Sequence, residues 1–359
     1  MPANQTNRGA SGCCLGCFSL LALGAGLLTL LLIGANVGFN GLVVGLVMAC
    51  LPVPLYVGLA LWIDRYEPEP PHLLLLAFTW GACLAVCASY ILNTINGAYF
   101  YEATHNAAAA SALGGIISAP IVEESTKGLC LFLLFFWKRK EFDGIVDGVV
   151  YATMVALGFA MTENIQYYGN AVRSSGEAAG ALFILRGMIS PYSHPLFTSM
   201  TGIGLGWAAQ SDRWLVKLLA PAAGLMAAMT LHATWNLTAT VHIKAWLAAY
   251  AFVMIPAALG VGLVLLFALG REGGLLRKHL AHDLSPAELA SVSSVLGRIG
   301  YSIGKFFRKG PGGWLAAEQF LQVASELAFL RSRSQRGFTP EVDQEQELLM
   351  RMRELRAKL

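Results

Sequence analysis

Residues 113–137 read LGGIISAPIVEESTKGLCLFLLFFW, and the meaning of this stretch decides the fold. It is long enough to cross a bilayer, which takes about 20 mostly apolar residues. Lys138, Arg139 and Lys140 close it, yet Glu123, Glu124 and Lys127 stand in its middle. Each charge at a bilayer centre costs at least roughly 2.5–3.5 kcal/mol. Either the stretch belongs to a soluble protein, or its charges have a function that offsets the cost.

The rest of the chain decides for the membrane. Of its 359 residues, 56% are hydrophobic and 13% charged, against roughly 45–50% and about 25% in soluble domains. An ordinary soluble enzyme, a disordered chain and a small disulfide scaffold are all excluded. Apolar segments of spanning length fall at 15–33, 40–63, 72–96, 113–137, 145–168, 183–209, 216–240 and 246–269. The expected fold is all-α, a polytopic membrane helix bundle of about eight transmembrane helices over residues 15–270. A cytosolic leader, 1–14, precedes it and a cytosolic helical tail, 271–359, follows. Only Gly34–Phe39 separates the first two segments.

The tail holds 14 of the 25 Lys and Arg and 10 of the 22 Asp and Glu. Its amphipathic stretches, Pro286–Phe307, Trp314–Arg331 and Val342–Leu359, suit a small helical domain or a partner-binding surface. Ahead of the tail, seven Lys or Arg fall in the leader and alternate loops, and two in the remaining loops. Both termini are therefore expected in the cytoplasm of a multi-pass cell-membrane protein. A net charge of +3 gives no reason to expect nucleic acid. The lipid bilayer is the partner that the composition demands.

The costly side chains sit on four consecutive segments: Glu123, Glu124 and Lys127; Glu163 with Asn164; Arg186 and His194; His232 with Asn236. Counted from the cytoplasmic end of each segment, Glu123, Glu163, His194 and His232 lie 14 to 18 residues in. At about 1.5 Å per residue that is roughly 21–27 Å. The helices alternate in direction, so spacing alone does not force a common level, and one shared interior pocket is expected. Glu123 and Lys127, four apart, share a helix face with the acid first, the favourable order for a pair. Glu124 is rotated by about 100°. Pro120, Pro191 and Pro195 predict helix breaks beside the acids and His194. Arg186 reads as an interface or ion-pair residue, and Phe159 as core.

Such a pocket supports few chemistries. A glutamate can act as general base toward water. Histidines and a glutamate could instead hold Zn²⁺, which lowers the pKa of bound water to about 7. An asparagine can donate to an oxyanion. No serine nucleophile elbow or HExxH stretch is present. Proton-coupled transport also uses intramembrane Glu and His, although no inverted repeat is evident. A non-catalytic scaffold working through the tail is the third reading.

Three motifs run in order along these segments: Glu123-Glu124-Ser125-Thr126-Lys127 (EExxK), Phe159 to Glu163-Asn164 (FxxxEN) and His232 to Asn236 (HxxxN), with His194 between the last two. The acidic, proline-rich stretch Asp64–Pro70 stands ahead of them. Over roughly residues 50–240 the chain resembles the PrsW family of intramembrane proteases. That family looks related to CAAX prenyl endopeptidases and bacteriocin-processing enzymes, with their EExxxR, FxxxH and HxxxN motifs. The resemblance implies an intramembrane endopeptidase that cuts a membrane-embedded or membrane-proximal protein, of the anti-sigma-factor type. It gives catalytic roles to Glu123, Glu124, Glu163, His194, His232 and Asn236. A metal, expected to be zinc, would sit on Glu163, His194 and His232, with no organic cofactor. Glu163 stands where the CAAX enzymes carry histidine, so their mechanism does not transfer. The tail lies outside the resemblance, and a cytosolic partner is expected for it.

Overall fold

The computed structural model describes residues 4–335 and 343–359, with side chains from residue 16 onward. The side chains of the expected leader and residues 336–340 of the expected tail linker lie outside the described residues. Among the described residues every regular element is a helix, so the fold is all-α. Five helical stretches are long and apolar enough to cross a membrane: Gly16–Ile63, Pro71–Thr104, Ile145–Ser174, Trp214–Val241 and Ile243–Leu280. Eight spans were expected. The first two expected segments fall together in Gly16–Ile63, while the expected segments 113–137 and 183–209, which carry Glu123, Glu124, Lys127, Arg186 and His194, are not among the five.

α1 (Asn4–Cys50) breaks at Gly38, inside the expected joint, where φ is +77°. Only glycine adopts that conformation readily. Pro52 separates α1 from α2 (Val53–Ile63). α3 (Pro71–Thr79) runs through a π-helical turn, Trp80–Ala85, into α4 (Val86–Thr104). α5 (Ala107–Leu113) starts under Asn106, whose side chain accepts the Ala108 and Ala109 N–H groups. A second π-helical turn, Gly114–Ser118, leads into α6 (Ala119–Trp137). α7 (Ile145–Ser174) and α8 (Gly176–Phe183) follow, then a third such turn, Ile184–Ile189, and a break at residues 190–192 before α9 (Ser193–Gln210). α10 (Trp214–Val241), α11 (Ile243–Ala249), a fourth π-helical turn at Tyr250–Met254 and α12 (Ile255–Leu280) come next. α13 (Pro286–Val292), α14 (Val295–Gln335) and α15 (Gln344–Lys358) end the chain.

The helices form two compact units, Met1–Ile63 with Pro70–Val261, and Asp64–Glu69 with Gly262–Leu359. In the first, α7 is the axis, and most of its residues are buried. Glycines let neighbouring backbones touch it. A Cβ on Gly81 would lie 1.9 Å from the Val155 carbonyl, and one on Gly158 2.1 Å from that of Phe78. Gly148 and Gly202 meet in the same way, each 2.1 Å from the other's carbonyl. Helices packed in lipid gain through such close backbone approach. In the second unit the buried Arg298 donates to the Arg65 carbonyl and to Ser325 Oγ, and stacks on the Tyr66 ring at 4.8 Å.

Candidate active site

α6, α7, α9 and α10 bring Glu123, Glu124, Lys127, Glu163, His194 and His232 together inside the first unit. Among the described residues, three of the four π-helical turns adjoin these elements or α4. The turn at Gly114–Ser118 carries the start of α6, and the one at Ile184–Ile189 carries Arg186. Such turns misalign the helical ladder and leave backbone groups for other partners. Gly115 shows this, because Asn236 Nδ2 donates to its carbonyl at 2.8 Å.

Glu124 is fully buried, and both its oxygens are engaged. Oε1 accepts from Lys127 Nζ at 2.7 Å and lies 3.1 Å from His232 Nδ1. Oε2 accepts from Thr198 Oγ1 at 2.8 Å. The expected Lys127 partner was Glu123, four residues before it. Glu123 Oε2 lies 3.8 Å from Nζ, so the shorter bond goes to the residue three before. Lys127 also sits 4.1 Å above the centre of the buried Phe159 ring, a cation–π contact that gives this side chain more than a packing role.

Lys127 Nζ is 3.1 Å from His194 Nδ1. An ammonium can only donate, so Nδ1 accepts and Nε2 presents its proton to Glu163 Oε2 at 3.1 Å. Glu163 is held in turn by Arg186, at 2.5 Å through Nη2. Arg186 also donates to Asn164 Oδ1 and stacks on Tyr167 at 3.8 Å. Arg186 is thus an ion-pair residue, as read from sequence, but one belonging to the site.

Glu123 differs from its neighbour. Its Oε1 accepts a long 3.5 Å bond from Asn93, while Oε2 is buried with no hydrogen-bond partner among the described residues. That oxygen lies 3.9 Å from His232 Nε2. Because Nδ1 of His232 faces the Glu124 carboxylate, Nε2 is left with its lone pair free. A carboxylate behind a histidine is the usual orienting arrangement for a metal ligand. Glu123, His194 and His232 can each offer one ligand atom within 4.8 Å of the others, and this set fits a divalent cation. It contains Glu123 where the sequence expectation had Glu163, whose Oε2 is already shared by Arg186 and His194. His194 could join only by giving up one of its two hydrogen bonds.

A cavity of about 360 Å³ opens onto this cluster. Glu123, Glu163, Arg186, His194, His232 and Asn236 all line it, whereas Glu124 and Lys127 do not. Sequence reasoning did not reach Thr198, although it stands four residues after His194 and so on the same helix face. Asn93 and Ser118, which are hydrogen-bonded to each other beside Glu123, carried no local signal.

A buried carboxylate–histidine cluster facing a cavity within a bundle of membrane-spanning helices defines the class, an integral-membrane helical protein with a polar interior site, and comparison with known proteins gives the family. The family model described as PrsW family intramembrane metalloprotease matches residues 69–261, and the chain belongs to that family. Among curated relatives, Protease PrsW of Geobacillus kaustophilus (strain HTA426) is 32% identical over 146 residues, covering 40% of this chain and 58% of the relative. Protease PrsW of Bacillus subtilis (strain 168) is 30% identical over 158 residues, covering 44% and 65%. Protease PrsW of Clostridioides difficile (strain 630) is 31% identical over 153 residues, covering 42% and 60%. The chain thus spans about three fifths of the length of these relatives. No solved structure matches.

Proposed function

We propose that the protein is an intramembrane endopeptidase that hydrolyses a peptide bond of a membrane-embedded or membrane-proximal protein, of the anti-sigma-factor type. The observation that carries this reading is Glu123 Oε2, a buried carboxylate oxygen that accepts no hydrogen bond from the described residues and stands 3.8 Å from Lys127 Nζ and 3.9 Å from His232 Nε2 at the wall of the cavity. Glu123 is the group that takes a proton from water. As the water oxygen bonds to the scissile carbonyl carbon and the C–N bond breaks, Glu123 returns that proton to the leaving amine. Glu124 orients His232, and Lys127 balances the two acids while fixing His194. Arg186 holds Glu163 against His194. Asn236 becomes an oxyanion donor when the substrate carbonyl replaces that of Gly115.

The family is one of metalloproteases, and Glu123, His194 and His232 are the residues that would hold the ion, Glu123 then serving as ligand in place of its general-base role and His194 releasing one of its two hydrogen bonds. A bound divalent cation such as zinc supplies a Lewis acid that lowers the pKa of water to about 7. In this reading the termini face the cytoplasm, and the tail is available to a cytosolic partner.

The test is co-expression with a tagged single-span candidate substrate. Wild type should release a fragment that Glu123→Gln and His232→Ala do not, and chelation should abolish cleavage until zinc is restored. Full cleavage by both variants would end this proposal.

A further inference from the structure

A second cavity, of about 300 Å³, reaches the same acids through different walls. Ile33, Val86, Ser89, Tyr90, Asn93, Thr94, Phe159 and Gln166 enclose it together with Glu123 and Glu163. Among the described residues, those two glutamates are the only lining residues it shares with the larger cavity. Its volume holds on the order of ten waters. Five of its uncharged walls are polar side chains (Ser89, Tyr90, Asn93, Thr94 and Gln166), an unusual set for a surface between membrane helices.

Depth gives this cavity a direction. Asn93 and Thr94 lie 22 and 23 residues beyond Pro71, and Gln166 lies 21 beyond Ile145. At about 1.5 Å per residue, they stand roughly 31–35 Å from those helix starts, the full thickness of a hydrocarbon core. The cavity therefore runs from the acids toward the membrane face opposite residues 71 and 145.

A hydrogen-bond chain ends on the acid inside. Asn96 Nδ2 donates to Ser118 Oγ at 2.8 Å, Ser118 Oγ donates to Asn93 Oδ1 at 2.8 Å, and Asn93 Nδ2 donates to Glu123 Oε1 at 3.5 Å. Every donor and acceptor in this chain has its role fixed by the next. It anchors Glu123 from the second cavity's side and leaves Oε2 directed at His232.

We propose that the second cavity is the route by which water reaches Glu123, and that Asn93, held by Ser118 and Asn96, is a positioning residue that sets the Glu123 carboxylate between the two cavities. The larger cavity is then left to the polypeptide, so hydrolysis does not require substrate and water to share one entrance. This rests on the protease reading for its purpose, but its physical content does not.

The experiment uses the full chain in sealed vesicles, with its seven native cysteines replaced. Single cysteines at Gln166 and Thr94 are probed with a charged, membrane-impermeant thiol reagent. Leu92, on α4 but outside the cavity wall, serves as control. Labelling of Gln166→Cys and Thr94→Cys from the face opposite the 138–143 loop, with Leu92→Cys unlabelled, is expected. Absence of labelling at both cavity positions overturns the water route whether or not the protein cleaves anything. Labelling in a protein that cleaves no substrate would instead leave the route standing and remove the protease reading. For the positioning role, Asn93→Leu should lower kcat at least tenfold with KM within twofold, and Asn93→Gln should recover part of the loss. An unchanged kcat in Asn93→Leu, or an equal change in KM, overturns that role.

Discussion

Replacing Lys127 by methionine isolates the electrostatics of the site. The ammonium is fully buried, 2.7 Å from Glu124 and 3.8 Å from Glu123. With an effective dielectric constant of about 20, these separations give gross attractions of about 6 and about 4 kcal/mol. Desolvating the three charges offsets much of this, so the pair is not strongly stabilising relative to an apolar replacement. Removing one member is different, because Glu124 stays buried with its charge unmatched. The expected loss is about 3–5 kcal/mol. Lys127→Met with Glu124→Gln should then be less destabilised than the sum of the two single variants, by about 2 kcal/mol, since both members of the shorter pair are gone and only Glu123 keeps its charge. Unfolding of the purified protein in mixed micelles, followed by tryptophan fluorescence against detergent composition, measures all four corners of the cycle. A Lys127→Met variant within about 1 kcal/mol of wild type, or strictly additive single variants, would refute the reasoning.

Three further outcomes are expected. Gly158→Ala places a Cβ 2.1 Å from the Phe78 carbonyl and 2.9 Å from Ala82 N, so α3 and α7 must separate; it should cost about 1–3 kcal/mol, while Gly97→Ala, with open space around it, should stay within about 0.5 kcal/mol in the same assay. Thr198→Val leaves Glu124 Oε2 without its donor and should cost about 1–3 kcal/mol, seen as a lower unfolding midpoint together with weakened proteolysis. In the tail, burial raises the Glu288 carboxyl, but hydrogen bonds from Ser285 and the charge of Arg356 outweigh it and hold the group below its ordinary value. A depressed folded pKa gives stability that is present above the unfolded pKa and lost as pH falls through the folded one. Glu288→Gln should thus destabilise the protein at pH 7 by a few tenths to about 1 kcal/mol, an effect that fades as the pH falls through the depressed pKa of the folded carboxyl; a pH-independent difference would argue against the ion pair.

Much of the architecture can be read from hydropathy, because a helix in lipid must satisfy its own backbone and advertises itself by length. The break between the first two segments was visible at Gly34–Phe39, and Gly38 supplies it. The common depth of Glu123, Glu163, His194 and His232 was also visible, since scarce charges in apolar helices stand out individually. What local spacing could not tell is how side chains rotate once helices pack. Both Glu123 and Glu124 are within a turn of Lys127, and only the positions of α9 and α10, with Thr198 and His232, turn Glu124 inward and leave Glu123 on the cavity wall. Arg186 was seen as an ion-pair candidate but not as part of the site, because a π-helical turn and a break lie between it and His194. Asn93 and Ser118 look like ordinary polar residues near helix ends. Their link to Glu123 exists only in three dimensions.

The glycine contacts along α7 limit more than the distance between helices. Where the Val155 and Phe78 carbonyls sit at the place of a missing side chain, sliding α3 along α7 by even one residue would bring a bulkier neighbour onto a carbonyl. The same holds for α9 at Gly148 and Gly202, and for the first half of α10 at Gly204 and Gly224, which rest against Ala220 and Met200. These elements make a rigid frame. Under the proposed protease reading, a polypeptide would enter past parts that these glycine contacts do not clamp: the start of α2 around Pro52 and Tyr56, the π-helical turn at Gly115, and the last turns of α10 around Ala239 and Thr240. All of these line the larger cavity. The absence of side chains at a few glycines thus sets which helices are locked in register against α7 and which are not.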